Sequence, residues 1–91
     1  MQLNKLDHVN IRTANLENMV TWYCDVLGMD NGKRPPFPFP GAWLYAGDHA
    51  AVHLVGVESA PQSVEPGIEH FAMSATGLQT FVDRLEASGT E

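Results

Sequence analysis

The chain has 91 residues, of which 44% are hydrophobic, 18% charged and 9% aromatic, which describes one globular domain at most and excludes a disordered chain. Eleven acidic residues against five basic ones leave a net charge of −6, which argues against nucleic acid or an anionic membrane surface as the main partner. The charges of residues 1–34 cancel, so the excess acid falls in residues 35–91, where Arg84 is the single base; a solvated acidic surface accounts for it.

Taken in chain order, residues 6–12 alternate as a strand does, with Val9 and Ile11 on one face and Leu6, His8, Asn10 and Arg12 on the other. Leu16, Met19, Val20 and Tyr23 follow at the i, i+3, i+4, i+7 spacing of an amphipathic helix, with Asn15 as its N-cap and Gly28 as its C-cap. Cys24 falls inside that helix with no base beside it and reads as a structural thiol. Being the only cysteine, it excludes an internal disulfide and a cysteine zinc cluster. A second strand is weakly marked near residues 29–34.

Pro35, Pro36, Pro38 and Pro40 then forbid a helix or a central strand, so this stretch is a loop or a bulged edge carrying Phe37 and Phe39. Residues 42–46 and 50–57 read as two strands joined by a tight turn at Gly47-Asp48, with His53 on the face of Ala51 and Val55. His49, beside the turn, reads as exposed and outside any site. Residues 59–67, with Pro61 and Pro66, form a linker. No apolar run approaches the ~18 residues of a membrane helix and the N-terminus lacks a signal peptide's apolar core, so a cytoplasmic setting is expected.

The chain repeats itself. At an offset of 62, His8-Val9-Asn10-Ile11 lies over His70-Phe71-Ala72-Met73, and Leu16, Met19, Val20 and Tyr23 lie over Leu78, Phe81, Val82 and Leu85. Thr76-x-x-Gln79 fits a capping box for the second helix and Gly89 its C-cap. The alternation sets His8 and His70 on the strand face turned away from the helices. The first copy reads as a βαβββ module over residues 1–58. The second, residues 68–91, holds only the βα start, and the strands that would complete it are expected from a longer chain or a second copy.

His8, His70 and His53 together point to a metal, because imidazole binds Zn, Fe and Ni, and a reactive centre needs about three protein ligands with a position left open. Singly, each reads as an ordinary core or surface histidine. Phe37, Phe39 and Trp43 offer an apolar wall for a ligand, or else a loop pinned by its own aromatics. No G-x-S-x-G, P-loop or G-x-G-x-x-G pattern occurs.

Leu6-Asp7-His8-Val9-Asn10-Ile11, the helix end Trp22-Tyr23-Cys24-Asp25-Val26-Leu27-Gly28-Met29, and Ile68-Glu69-His70-Phe71-Ala72 resemble the glyoxalase/bleomycin-resistance/extradiol-dioxygenase superfamily, the vicinal oxygen chelate proteins. The resemblance spans residues 3–89. It implies an α+β fold in which paired βαβββ modules form a mixed-sheet cup around a divalent metal. His8 and His70 match the first-strand ligand positions of the two modules. His53 matches the last-strand position of the first, which is a glutamate or glutamine in glyoxalase-I-like members.

The resemblance also implies bidentate coordination of neighbouring substrate oxygens to Fe, Mn, Ni or Zn acting as a Lewis acid. His53 would be a third ligand or the catalytic base, and Asn10 and Arg12 would hold an anionic part of the substrate, beside Phe37, Phe39 and Trp43. The expected partners are a small-molecule substrate and a second copy in a homodimer. Three classes stay open: a metal-dependent lyase, isomerase or ring-cleaving dioxygenase; a metal-free binding protein of the antibiotic-sequestering kind; and a half-domain completed by a partner chain.

Overall fold

A computed structural model of the chain describes residues 1–62, 70–74 and 76–89. Its elements are β1 (Val9–Thr13), α1 (Leu16–Asp25), β2 (Asp30–Gly32), β3 (Gly41–Ala46), β4 (His49–Gly56) and α2 (Leu78–Ser88). The chain divides into two units, residues 1–61 and 62–91, and each is described by itself.

In the first unit the four strands form one mixed sheet in the order β1-β4-β3-β2. β1 runs parallel to β4, so the chain crosses through α1 and the two middle strands before returning beside it, as parallel neighbours require. β3 and β4 are joined at Gly47, whose φ of +65° at the first turn position is one that glycine adopts without strain.

One face of the sheet is apolar because Ala42 and Leu44 of β3 and Val52 and Leu54 of β4 alternate onto it, and all four are buried with Met29. The predicted stripe of α1, Leu16, Met19, Val20 and Tyr23, packs there together with Val9, Ile11 and Cys24. Packing of that stripe, rather than propensity, is what holds a helix of 10 residues. Gly28 follows with φ +72°, as expected of the residue that ends it.

Four local expectations are corrected. Asn15 sits at the N-cap of α1 but its side chain makes no capping bond; instead Oγ1 of buried Thr13 accepts the Asn15 N–H at 2.9 Å. The proposed capping box is not formed either, since α2 is preceded by Gly77 with φ +77° and the Gln79 amide donates to Asp83 Oδ1 at 2.9 Å. An amide that reaches one turn forward is not free to reach back to its own N-terminus. Ala51 does not share the face of His53: the ladder passes from Leu44↔Val52 to Tyr45↔Ala50, and the unmatched Ala51 packs against the core.

The fourth concerns the second unit. Residues 70–74 form no strand, while residues 68 and 69 of the predicted strand lie outside the described residues. A strand exists only where a neighbour takes its backbone hydrogen bonds. β1 has β4 for this. α2 forms as predicted, with Phe81, Val82 and Leu85 half-buried and Gly89 ending it at φ +75°, its N–H bonded to the Glu86 carbonyl.

Candidate functional site

The sheet face opposite α1 carries the candidate site. Asn10, His53 and Trp43 are Cα partners across β1, β4 and β3, so their side chains lie side by side on one face. His53, at the centre, is 9% exposed. The Trp43 ring stacks on it at 4.0 Å and 9° between planes, and the His8 ring at 3.8 Å and 14°. His53 Nε2 donates to the Ala50 carbonyl at 3.1 Å, which places the neutral ring's lone pair on Nδ1. Burial pushes its pKa below 6.5, and repulsion from His8 adds to the effect, so the ring is neutral at pH 7.

Asp7 holds the other end of the stack. Its Oδ2 accepts from His8 Nδ1 at 2.7 Å, and that bond holds the carboxyl below its usual value of 3.8, with the charge of His49 adding. The Asp7 carbonyl accepts from His49 Nε2 at 2.6 Å, and Oδ1 lies 3.5 Å from the same nitrogen. The segment leading into β1 is thereby tied to the first residue of β4.

The Pro-rich loop closes one side. Its prolines fix the backbone, Phe37 N–H donates to the Pro35 carbonyl at 2.8 Å, and Gly56 N–H donates to the Pro40 carbonyl at 2.9 Å. Phe37 and Phe39 stack at 5.1 Å and 11°, and the Arg34 guanidinium carbon lies 5.1 and 5.2 Å from their ring centroids. Arg34 Nη2 donates to the Phe39 carbonyl at 2.9 Å. Between this loop and the sheet is a cleft of about 140 Å³, lined on the loop side by Arg34, Phe37 and Phe39. On the sheet side Asn10, Trp43, His53, Leu54 and Val55 line it.

Asn10, Phe37, Phe39, Trp43 and His53, all named from the sequence, thus meet at one cleft, with His8 stacked behind. Arg12 does not join them; it borders a separate open hollow of about 690 Å³ with Thr13, Leu16 and Gly56. His70 belongs to the second unit. Asp7, Arg34 and His49 are the residues sequence reasoning missed. For Arg34 a signal existed, in a cation that directly precedes an alternating proline–phenylalanine run.

A mixed sheet with a helix on one face and a ring-lined cleft on the other defines a small α+β module with a ligand-sized recess. The chain belongs to the Glyoxalase/Bleomycin resistance protein/Dioxygenase superfamily, whose family profile matches residues 5–91. It is similar in fold to an integron cassette protein from the mobile metagenome of the Halifax Harbour sewage outfall, at a TM-score of 0.71 and 21% identity, over 96% of this chain and 72% of that one. An integron cassette protein from the mobile metagenome of V. cholerae is similar at a TM-score of 0.66 and 21% identity, over 98% and 70% of the two chains. A comparison with curated proteins finds no match.

Members of this superfamily often bind divalent metals, so the fit of the residues to an ion matters. A ligating imidazole holds its metal in the ring plane at about 2.0–2.1 Å for zinc. Rings stacked 3.8 Å apart and 14° from parallel direct their lone pairs along neighbouring planes rather than to one point. His8 and His53, as they stand, do not fit one shared ion. Among the described residues no group of three or more His, Cys, Asp or Glu is arranged to hold one. No helix among them is long and apolar enough to cross a membrane.

Proposed function

We propose that the protein binds a small planar molecule in the cleft between the Trp43–His53 rung and the Phe37–Phe39 pair. One observation carries this reading: aromatic surfaces are preset on both sides of the cleft, by a ring stack on the sheet and by a proline-fixed loop. Rigid walls reduce the ordering cost of binding. The space of about 140 Å³ is close to the ~150 Å³ of an engineered apolar cavity that takes up benzene. Asn10, whose side-chain amide makes no hydrogen bond among the described residues, supplies a polar point for orientation.

The test follows Trp43 emission in a Trp22→Phe background during titration with phenol and with cyclohexanol. A saturable change with phenol alone, lost in the Phe37→Ala/Phe39→Ala double variant, is expected. Absence of saturation with phenol sinks the reading.

A second reading, a divalent-metal-dependent lyase, isomerase or dioxygenase with His8, His70 and His53 as ligands, is favoured by the Asp7 carboxylate on His8 Nδ1, a partner that metal-ligating imidazoles usually have. It requires His8 to leave the stack. Metal content per chain, with His8→Ala and His70→Ala as controls, tests it: metal below about one-tenth of the chain concentration after loading with Fe, Mn, Ni and Zn in turn would rule it out. The proposal includes a cytoplasmic homodimer, the latter tested by sedimentation.

A further inference from the structure

We infer that Arg34 makes this cleft selective for single-ring aromatic carboxylates, an inference that rests on the cleft being a ligand site. Among the described residues Arg34 is the one cation lining it, and none of their carboxylates lies within ion-pair distance of the guanidinium. None of the chain's five Lys and Arg residues is ion-paired among the described residues, so what distinguishes Arg34 is its place in the cleft. Asp7, beside the His8–His53 stack, is engaged by His8 and His49, and Asp30, which shares the face of Trp43 through Gly32 and Tyr45, is not ion-paired to Arg34.

The guanidinium is also held in place. One of its N–H groups goes to the Phe39 carbonyl and its carbon lies about equally far from the Phe37 and Phe39 rings, and among the described residues its other donors have no acceptor. Gly41 keeps room for it: a Cβ there would stand 2.7 Å from Arg34 Nη2 and 2.5 Å from the Leu54 carbonyl oxygen. A planar fork with free N–H groups matches a carboxylate's two oxygens, and the flanking ring faces match an aromatic body. A cleft of about 140 Å³ admits one ring and not two. The net charge of −6 opposes anions only weakly at this point, because distant exposed charges are screened beyond about 8 Å at physiological ionic strength.

The experiment compares benzoate, benzamide and benzylammonium on the full chain in the Trp22→Phe background, then in Arg34→Gln and Arg34→Lys. Benzoate is expected to bind at least about tenfold more tightly than benzamide, the difference that a charge-assisted hydrogen bond commands. Arg34→Gln should reduce benzoate to the benzamide level and leave benzamide within about twofold, and Arg34→Lys should keep part of the preference. Equal or weaker binding of benzoate in the parent protein overturns the inference, without any need for the variants to fold, and leaves the ring-binding cleft standing. A benzoate preference that survives in folded Arg34→Gln also overturns it. If none of the three probes binds, the cleft reading fails and this inference with it.

Discussion

Trp43 and His53 are Cα partners across β3 and β4, and their rings stack 4.0 Å apart with 9° between the planes. Indole emission therefore reports the charge on the imidazole, because an imidazolium over the indole face is a stronger quencher than the neutral ring. In a Trp22→Phe background, Trp43 emission is expected to fall as pH drops, with a midpoint below 6.5 set mainly by the burial of His53. A midpoint at or above 6.5 would contradict the assignment.

Stability should follow the same group. The pKa of His53 is lower in the folded chain than the value near 6.5 expected when unfolded, so on acidification the unfolded chain takes up the proton first. The neutral ring's contribution is present above about pH 6.5 and is lost as pH falls through that value towards the folded pKa. Urea midpoints at pH 7.5 and 5.5 check this: the wild type should lose more on acidification than His53→Gln. An equal loss in both proteins would remove His53 as the cause. Asp7 acts lower, since its depressed pKa contributes stability above about 3.8 that is lost as pH falls through its folded value.

The start of α1 separates two residues that the sequence makes look alike. Thr13→Val removes the acceptor of the Asn15 N–H in a buried position and should cost about 1 kcal/mol, the usual size of a lost cap. Asn15→Ala removes a side chain that makes no capping bond and should stay within about 0.5 kcal/mol. Chemical denaturation of both variants decides it, and the reverse order would restore Asn15 as the cap.

At Gly41 the backbone is close to both the Leu54 carbonyl and the Arg34 guanidinium. Gly41→Ala should cost about 1–3 kcal/mol by overpacking and should move the guanidinium. Urea unfolding reads the first effect and the shift of the Arg34 Nε–H resonance reads the second. An unshifted resonance would show that Arg34 does not depend on this glycine for its position.

The first module was largely legible because its signals are local. Val9 and Ile11 alternate, Leu16 to Tyr23 keep helical spacing, and glycines stand at positive φ where the chain turns, so periodicity and turn chemistry agree with the fold. His8, His53 and Trp43 stand out by residue type, and strand parity puts His8, like His70, on the strand face turned away from the helices. What parity could not supply was which strands are neighbours. That depends on the parallel β1–β4 pairing and on the unmatched Ala51, and it sets His8, His53 and Trp43 in one stack of rings.

Arg34, Asp7 and His49 escaped for a related reason, since their roles rest on contacts with residues distant in sequence or on a loop folding back over the sheet. The sequence by itself determined the family, the helices and the strands of the first module, because each follows from the spacing of side chains along one segment. Only the tertiary structure decided which cation lines the cleft, which carboxylate orients His8 and how the histidines face each other, because those depend on strand register and loop path, where a shift of one residue turns every side chain to the other face.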